Sequence, residues 1–169
     1  ELYPYMGDAY FNRGLVLMKS YDLVNWTRSN VRIDKAFKRK FGNIGCAWAP
    51  ETVYDKEKDR MMIYFTMRIG NGPSKLYYAY TNKDFTKIVT EPKLLFEPDD
   101  PNVTVLDADI TELPDGRYCM MYVAHDNGIG IKMAISDRIN GGYEYSDRWI
   151  DYEAGACEAP NVWKRGDKW

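Results

Sequence analysis

The sequence predicts an all-β fold built from the four-stranded blades of a β-propeller. Three short segments, residues 48–54, 107–113 and 158–163, resemble one strand written three times. Aromatic residues make up 15% of the chain, which favours strands over helices. No stretch of helical length shows the periodicity of an amphipathic helix. Four short strands in a repeat of ~50 residues are typical of propeller blades.

Each blade is expected to follow the same order of strands and turns. The repeated segment leads through a polar turn into a second strand, at 61–65 and 118–123. Third strands are predicted at 15–18, 76–80 and 129–135, and fourth strands at 87–90 and 143–145. Polar turns at 20–23, 82–85 and 136–138 separate the third strand from the fourth, and residues 114–116 and 165–167 have the chemistry of tight hairpin turns.

The repeat divides the chain into about three blades of a partial propeller. The predicted limits are 1–45 for the outer part of blade 1, 46–104 for blade 2, 105–155 for blade 3 and 156–169 for the start of blade 4. Because the first blade lacks its opening strand and the fourth is represented by its first strand alone, we expect a fragment of a larger propeller. A propeller with open edges is prone to association through them.

The residues that open the repeated segments suggest a chemical role. Aligning Ala49, Ala108 and Ala159 puts Trp48, Asp107 and Glu158 at one structural position. An aromatic residue, an aspartate and a glutamate around one axis point to a site that binds and cleaves a sugar.

Composition argues against several other functions. The net charge is −2 with dispersed signs, whereas phosphate binding needs clustered Lys and Arg, so no nucleic-acid partner is expected. The basic cluster at 35–40 is interpreted as a solvated loop, and no apolar run is long enough to span a membrane. The cysteines lack metal-ligand spacing and are expected to be buried free thiols: Cys46, Cys119 and Cys157.

His125 is the only histidine of the chain. One histidine cannot supply a multi-histidine zinc site, and a Ser-His-Asp triad is not expected. Two interpretations stay open for this residue: a hydrogen-bonded core histidine, or a neighbour of water or an ion near the axis.

At these residues the chain resembles glycoside hydrolase family 43, the five-bladed propeller enzymes that include arabinofuranosidases, β-xylosidases and arabinanases. The resemblance covers nearly the whole chain. Its motifs are 48–51, 106–110 with 114–116, 158–160 before Lys164 and Arg165, and 20–23 with Trp26. The chain departs from the family at Ala108, where proline often follows the aspartate.

The resemblance implies a role for each candidate site residue. Glu158 resembles the general acid, Asp107 resembles the aspartate that tunes and orients the acid, and Trp48 would be a wall on which the sugar stacks. The general base is expected upstream of residue 1, since neither Asp8 nor Asp22 matches its place in the blade.

An inverting glycosidase needs a protonated acid and an ionised base, roughly 6.5–9.5 Å apart. Glu158 would therefore hold its proton near neutral pH, which the charge of Asp107 and partial burial beside Trp48 would favour. Asp109 competes with Asp107 for the tuning role, and Glu51 is interpreted as part of the blade structure.

The resemblance implies hydrolysis of L-arabinofuranosides or D-xylosides in plant-type polysaccharides or oligosaccharides. The expected partner is therefore a carbohydrate, in a secreted or periplasmic location, with cytoplasmic oligosaccharide processing as the alternative. No cofactor or metal is required for the acid–base chemistry, although the resemblance allows a structural calcium in the central channel.

Three other functions remain open. The first is a non-catalytic carbohydrate-binding propeller, and the second is a related enzyme acting on galactosides. The third is a fructan hydrolase or mannoside phosphorylase. The Arg-Asp-Pro triplet of fructan hydrolases does not occur here, and the blades offer no clear cationic cluster for phosphate.

Overall fold

The computed structural model describes residues 12–152 and 157–169, except for the side chain of residue 147. The elements found in these ranges are β1 (Gly14–Ser20), β2 (Trp26–Arg32), α1 (Ile33–Ala36), α2 (Lys38–Phe41), β3 (Ile44–Asp55), β4 (Arg60–Ile69), β5 (Ser74–Tyr80), β6 (Lys93–Phe96), β7 (Thr104–Glu112), β8 (Tyr118–His125), β9 (Ile129–Ser136) and β10 (Glu144–Tyr152). The all-β prediction is confirmed.

The strands form antiparallel sheets in sequence order. β1 and β2 form a hairpin, β3 to β6 form one four-stranded sheet, and β7 to β10 form another. Each four-stranded sheet is a meander in which neighbouring strands are joined by turns, as the sequence predicts for a blade.

Two apolar cores fill the spaces between consecutive sheets. The first lies between the β1–β2 hairpin and the β3–β6 sheet and includes Leu17, Ile44 and Phe65. The second lies between the two four-stranded sheets and includes Tyr64 and Tyr122. Most of the aromatic side chains that suggested blades therefore pack between blades, face against face.

A polar contact also joins the two four-stranded sheets. The hydroxyl of Tyr64, in β4, accepts the N–H of Ile110, in β7, at 3.0 Å. Tyr80, the last residue of β5, donates to the buried Asp55, the last residue of β3, and accepts from Asn140. These bonds satisfy groups that burial would otherwise leave unpaired, and the bond of Tyr64 to Ile110 fixes β7 against β4.

The predicted fourth strand of blade 2, at 87–90, is wrong. Ile88 forms only an isolated bridge with Thr81, and the strand is β6, at Lys93–Phe96. The physical reason is the turn before it, because the side-chain oxygen of Asn82 accepts the N–H groups of Thr86 and Lys87 at 2.9 Å each. After this turn the segment pairs with the end of β5 through two backbone bonds, from the N–H of Asn82 to Lys87 and from the N–H of Val89 to Tyr80, which is a single bridge and not a strand.

The predicted strand at 158–163 is also wrong. Residues 157–164 form no strand, since the backbone of Val162 is bonded to side chains of β7 instead. Its N–H donates to Asp109 at 2.7 Å, and its carbonyl accepts from Thr111 at 2.9 Å. The tight turn predicted at 165–167 is present, with paired backbone bonds between Arg165 and Lys168.

The basic segment at 35–40 is not a loop. It forms the short helices α1 and α2, whose basic side chains are exposed as predicted for a solvated segment, while Phe41 is buried in the core. Among the cysteines, Cys46, Cys119 and Cys157 are free as expected, and the first two are buried, but Cys157 is half-buried.

A β-bulge near the start of each inner strand shifts the predicted alignment by one residue. The register slips between Trp48 and Glu51 in β3, and between Leu106 and Asp109 in β7. Within the three repeats, left-handed φ angles occur at Ala49 (43°), Asp107 (50°) and Ala159 (54°). We call these three residues the bulge position.

Because of the bulge, the residues that are equivalent in the repeats differ from those predicted by aligning the alanines. Asp107 matches Ala49 and Ala159, not Trp48 and Glu158, and the residue that shares the place of Trp48 in β7 is Leu106. The alignment by alanine identity is wrong because the shared feature is the backbone step and not the residue type. Ala108 then takes the place of Pro50 and Pro160.

Candidate active site

The bulges bring the predicted site residues to one cleft. Trp48, Asp107 and Glu158 all line a cleft of about 540 Å³ at the end of the blades where β3 and β7 begin. Trp48 and Asp107 are half-buried and Glu158 is exposed. The cleft therefore combines an aromatic wall with two carboxyl groups, the combination the sequence predicts.

Asp107 is held by its backbone and by its surroundings. Its N–H donates to the hydroxyl of Thr66 at 3.1 Å, and Thr66 is 0% exposed. Burial raises the pKa of Asp107, as does the charge of Glu158. A backbone hydrogen bond from Ala159 and the charge of His125 act in the opposite direction. Asp107 and Glu158 therefore interact electrostatically across the cleft.

The partial burial predicted for Glu158 is not found, because residues 157–164 lie outside the sheets and leave this side chain exposed. Its place is fixed through its neighbour instead. Ala159 occupies the bulge position, and its N–H bonds the carboxylate of Asp107. This contact places the Glu158 backbone beside Asp107, as a pair of cooperating carboxyl groups requires.

Asp109 has a structural contact, which favours Asp107 for the tuning role. The bulge turns the two aspartates to different surroundings: Asp107 lines the cleft, whereas Asp109 accepts the N–H of Val162. Burial raises the pKa of Asp109. Glu51, the residue equivalent to Asp109 in β3, has its pKa raised by burial and by the charge of Asp109.

The other aspartates named in the sequence do not add to the cleft. Asp22 lies in the β1–β2 turn, where its carboxylate accepts the N–H groups of Asn25 and Val24, and these bonds lower its pKa. Asp8 lies outside the described residues. In the described part of the chain, the carboxyl groups that line the cleft belong to Asp107 and Glu158.

One basic residue of the cleft was missed from the sequence, and the place of another was left open between two interpretations. Arg68, at the end of β4, lines the wall formed by blade 2. His125, at the end of β8, is exposed and lines the same cleft, so the core interpretation of this histidine is wrong. Counting residues across the hairpin from the bulge could have found Arg68.

A buried network supports the turn beside His125. Lys132 is 1% exposed, and its ammonium donates to Asp126 at 2.5 Å and to Tyr145 at 2.8 Å. The same ammonium lies 4.5 Å from the centre of the Trp149 ring. Because Asp126 follows His125 directly, this network fixes the β8–β9 turn at the mouth of the cleft.

Neither a metal cluster nor a spanning helix was found in the described ranges. No group of three or more His, Cys, Asp or Glu side chains there is arranged to hold a metal ion. No helix there is long and apolar enough to cross a membrane.

Two solved structures share the fold. One is a thermostable family-43 glycoside hydrolase, with a TM-score of 0.52 and 15% identity over 82% of this chain and 52% of that one. The other is an endo-arabinase from Bacteroides thetaiotaomicron VPI-5482, with a TM-score of 0.55 and 14% identity over 89% of this chain and 66% of that one. The chain thus spans between half and two thirds of these structures. Together with the sheets described above, they confirm the propeller fold.

Sequence comparison assigns the family. A comparison with curated protein sequences gave no significant match. The model of a family related to glycosyl hydrolase family 43, described as "Probable glycosyl hydrolase domain", matches residues 7–169. Since this match spans nearly all of the sequence, the chain belongs to the family of domains related to glycosyl hydrolase family 43.

Proposed function

We propose that the protein containing this chain is an inverting glycoside hydrolase that cleaves L-arabinofuranoside or D-xyloside linkages. The observation that carries the proposal is the cleft in which Trp48, Asp107 and Glu158 meet. Membership of the family supports the glycosidase class, and the pentoside substrate rests on the resemblance of the site motifs.

Glu158 acts as the general acid in this proposal. Its exposed carboxyl group can reach the oxygen that leaves with the departing sugar, and the carboxyl group of Asp107 lines the same cleft. Asp107 orients the acid in this proposal, since its carboxylate accepts the N–H of Ala159, the residue that follows Glu158. Trp48 offers an apolar surface for the sugar ring.

Inversion also requires a base that activates water from the opposite face of the sugar. Within the described lining of the cleft there is no third carboxyl group to do this. The proposal therefore assigns the base to a residue outside that lining, and its test uses the full-length protein. Oligosaccharides of this kind occur outside cells, which supports a secreted or periplasmic location.

The test replaces the proposed acid in the full-length protein. Glu158→Gln should lower kcat by at least about a hundredfold on natural oligosaccharides, because general acid catalysis contributes about 10²–10⁴-fold. The loss should be much smaller on an aryl glycoside with an acidic leaving group, which departs without a proton. Oligosaccharide binding, measured by calorimetry, should persist.

Glu144→Gln is the matched control, since Glu144 is also exposed but begins β10 and does not line the described cleft. Near-normal turnover of Glu158→Gln on oligosaccharides would remove Glu158 from this role. Tight oligosaccharide binding by the wild-type protein without release of sugar would favour a binding propeller instead. Release from aryl galactosides alone would overturn the pentoside specificity.

A further inference from the structure

Arg68 and His125 occupy the same position in consecutive blades. The register pairs Arg68 with Cys46 in blade 2, and His125 with Thr104 in blade 3. Trp48 and Leu106 directly precede the bulge position in their strands. Cys46 lies two residues before Trp48, and Thr104 lies two residues before Leu106. Arg68 and His125 therefore occupy equivalent positions in their blades, although the predicted alignment by alanine does not pair them.

Both side chains open onto the cleft that contains the carboxyl groups. Arg68 is half-buried and His125 is exposed. The carboxyl group of Asp107 responds to the charge of His125, so the imidazole lies within electrostatic reach of the proposed reacting end of the cleft. One structural position thus supplies a hydrogen-bond donor to the cleft from each of two adjacent blades.

The backbone beneath Arg68 is shaped for its guanidinium. A Cβ atom on Gly45 would lie 2.7 Å from Nε of Arg68 and 2.6 Å from the carbonyl oxygen of Gly70, both too close for any side chain. The absence of a side chain at Gly45 therefore lets the guanidinium lie against β3. A planar group packed in this way has a fixed orientation, and its five N–H groups allow it to bond neighbours and a ligand together.

We propose that Arg68 and His125 bind hydroxyl groups of the sugar in the cleft, with Arg68 as a specificity-determining residue oriented by Gly45. The inference rests on the proposed function, since it assigns the ligand of the same cleft. Nitrogen donors suit sugar hydroxyls because each hydroxyl oxygen accepts hydrogen bonds, and a bond from the charged guanidinium contributes about 1.5–3 kcal/mol. This corresponds to about 10-fold to 150-fold in affinity.

The test measures binding and turnover separately in the full-length protein, with arabino-oligosaccharides and xylo-oligosaccharides as ligands. Arg68→Met, which keeps much of the side-chain length, should raise Kd and KM at least about tenfold and change kcat by less than about threefold. Arg68→Lys should recover part of the affinity, because it restores a charged donor without the planar fork. Gly45→Ala should weaken binding in the same direction by displacing the guanidinium.

Arg60→Met is the matched control, because Arg60 begins the same strand at its opposite end and is exposed there. It should leave Kd and KM unchanged. The thermal midpoint of each variant is measured as well. If Arg68→Met does not fold, Arg68→Lys and His125→Gln carry the test: each should raise Kd, and the rise in Arg68→Lys is the part of the affinity that its ammonium does not recover.

The outcomes separate this inference from the proposed function. Unchanged Kd in folded Arg68 and His125 variants overturns the inference, even if the wild-type protein hydrolyses the oligosaccharides. Weakened binding in these variants supports the inference, even if the wild-type protein binds sugar without cleaving it. Failure of the wild-type protein to bind any of these oligosaccharides would overturn the inference.

Discussion

Because the ammonium of Lys132 is buried, we expect the loss of Lys132 and the loss of its partner to change the free energy of unfolding by different amounts. Its partner Asp126 keeps 23% of its side chain exposed, whereas the Lys132 side chain is 2% exposed. Removing Asp126 leaves a charge in the interior, and removing Lys132 leaves a carboxylate that water can still reach. The same pair should therefore respond differently to the loss of each partner.

The expected magnitudes follow from these contacts. Removing one partner of a buried ion pair costs about 3–5 kcal/mol. In Asp126→Ala, the hydroxyl of Tyr145 and the ring of Trp149 still stabilise the ammonium, so we expect a loss of about 2–3 kcal/mol. Lys132→Met fills the same space without a charge and should cost only about 0–1 kcal/mol.

Urea unfolding of the full-length protein, followed by circular dichroism at pH 7, gives the free energy of unfolding of each variant. The exposed pair of Lys56 and Glu112 provides the control, because Glu112→Ala should cost under about 1 kcal/mol. If Lys132→Met destabilised the protein as much as Asp126→Ala, the argument from unequal burial would be wrong.

Two further predictions concern the support and the charge of Asp107. Thr66→Val removes the hydroxyl that accepts the N–H of Asp107; the free energy of unfolding should fall by about 1–3 kcal/mol, and an unchanged value from urea unfolding would contradict this role. The raised pKa of Asp107 means that its ionised form destabilises the folded state above the unfolded pKa, so Asp107→Asn should increase the thermal midpoint at pH 8. That gain should shrink as pH falls through the range in which Asp107 becomes protonated, and a gain independent of pH would refute the electrostatic explanation.

Sequence patterns were sufficient to predict the strands where backbone hydrogen bonds join neighbouring strands. The runs around Met62 and Tyr122 combine apolar residues with adjacent polar turns, and both form strands in the predicted places. Prediction failed where side chains bond the backbone, as Asn82 does in the turn before β6. The pattern of apolar residues does not reveal that competition, because Ile88 looks equally suited to a strand.

For the site, the types of the residues predicted which side chains take part, whereas the spacing of the residues could not fully predict their positions. Trp48, Asp107 and Glu158 were found as rare chemical groups in repeated motifs, and they do meet in one cleft. Arg68 and His125 lie on second strands, so their place depends on the register across a hairpin that contains a bulge. A slip of one residue in that register is invisible to a comparison of residue identities.

The recurring bulge also bears on how such a domain can change its chemistry. A left-handed φ at a residue other than glycine costs about 1–2 kcal/mol, yet this backbone step is present at Ala49, Asp107 and Ala159. The step occurs with alanine as readily as with aspartate, so it is imposed by the blade and not by the side chain. Mutation can therefore exchange the side chain at this position while the main-chain path stays as it is, so the repeats that carry alanine there can gain a functional group without rebuilding the blade.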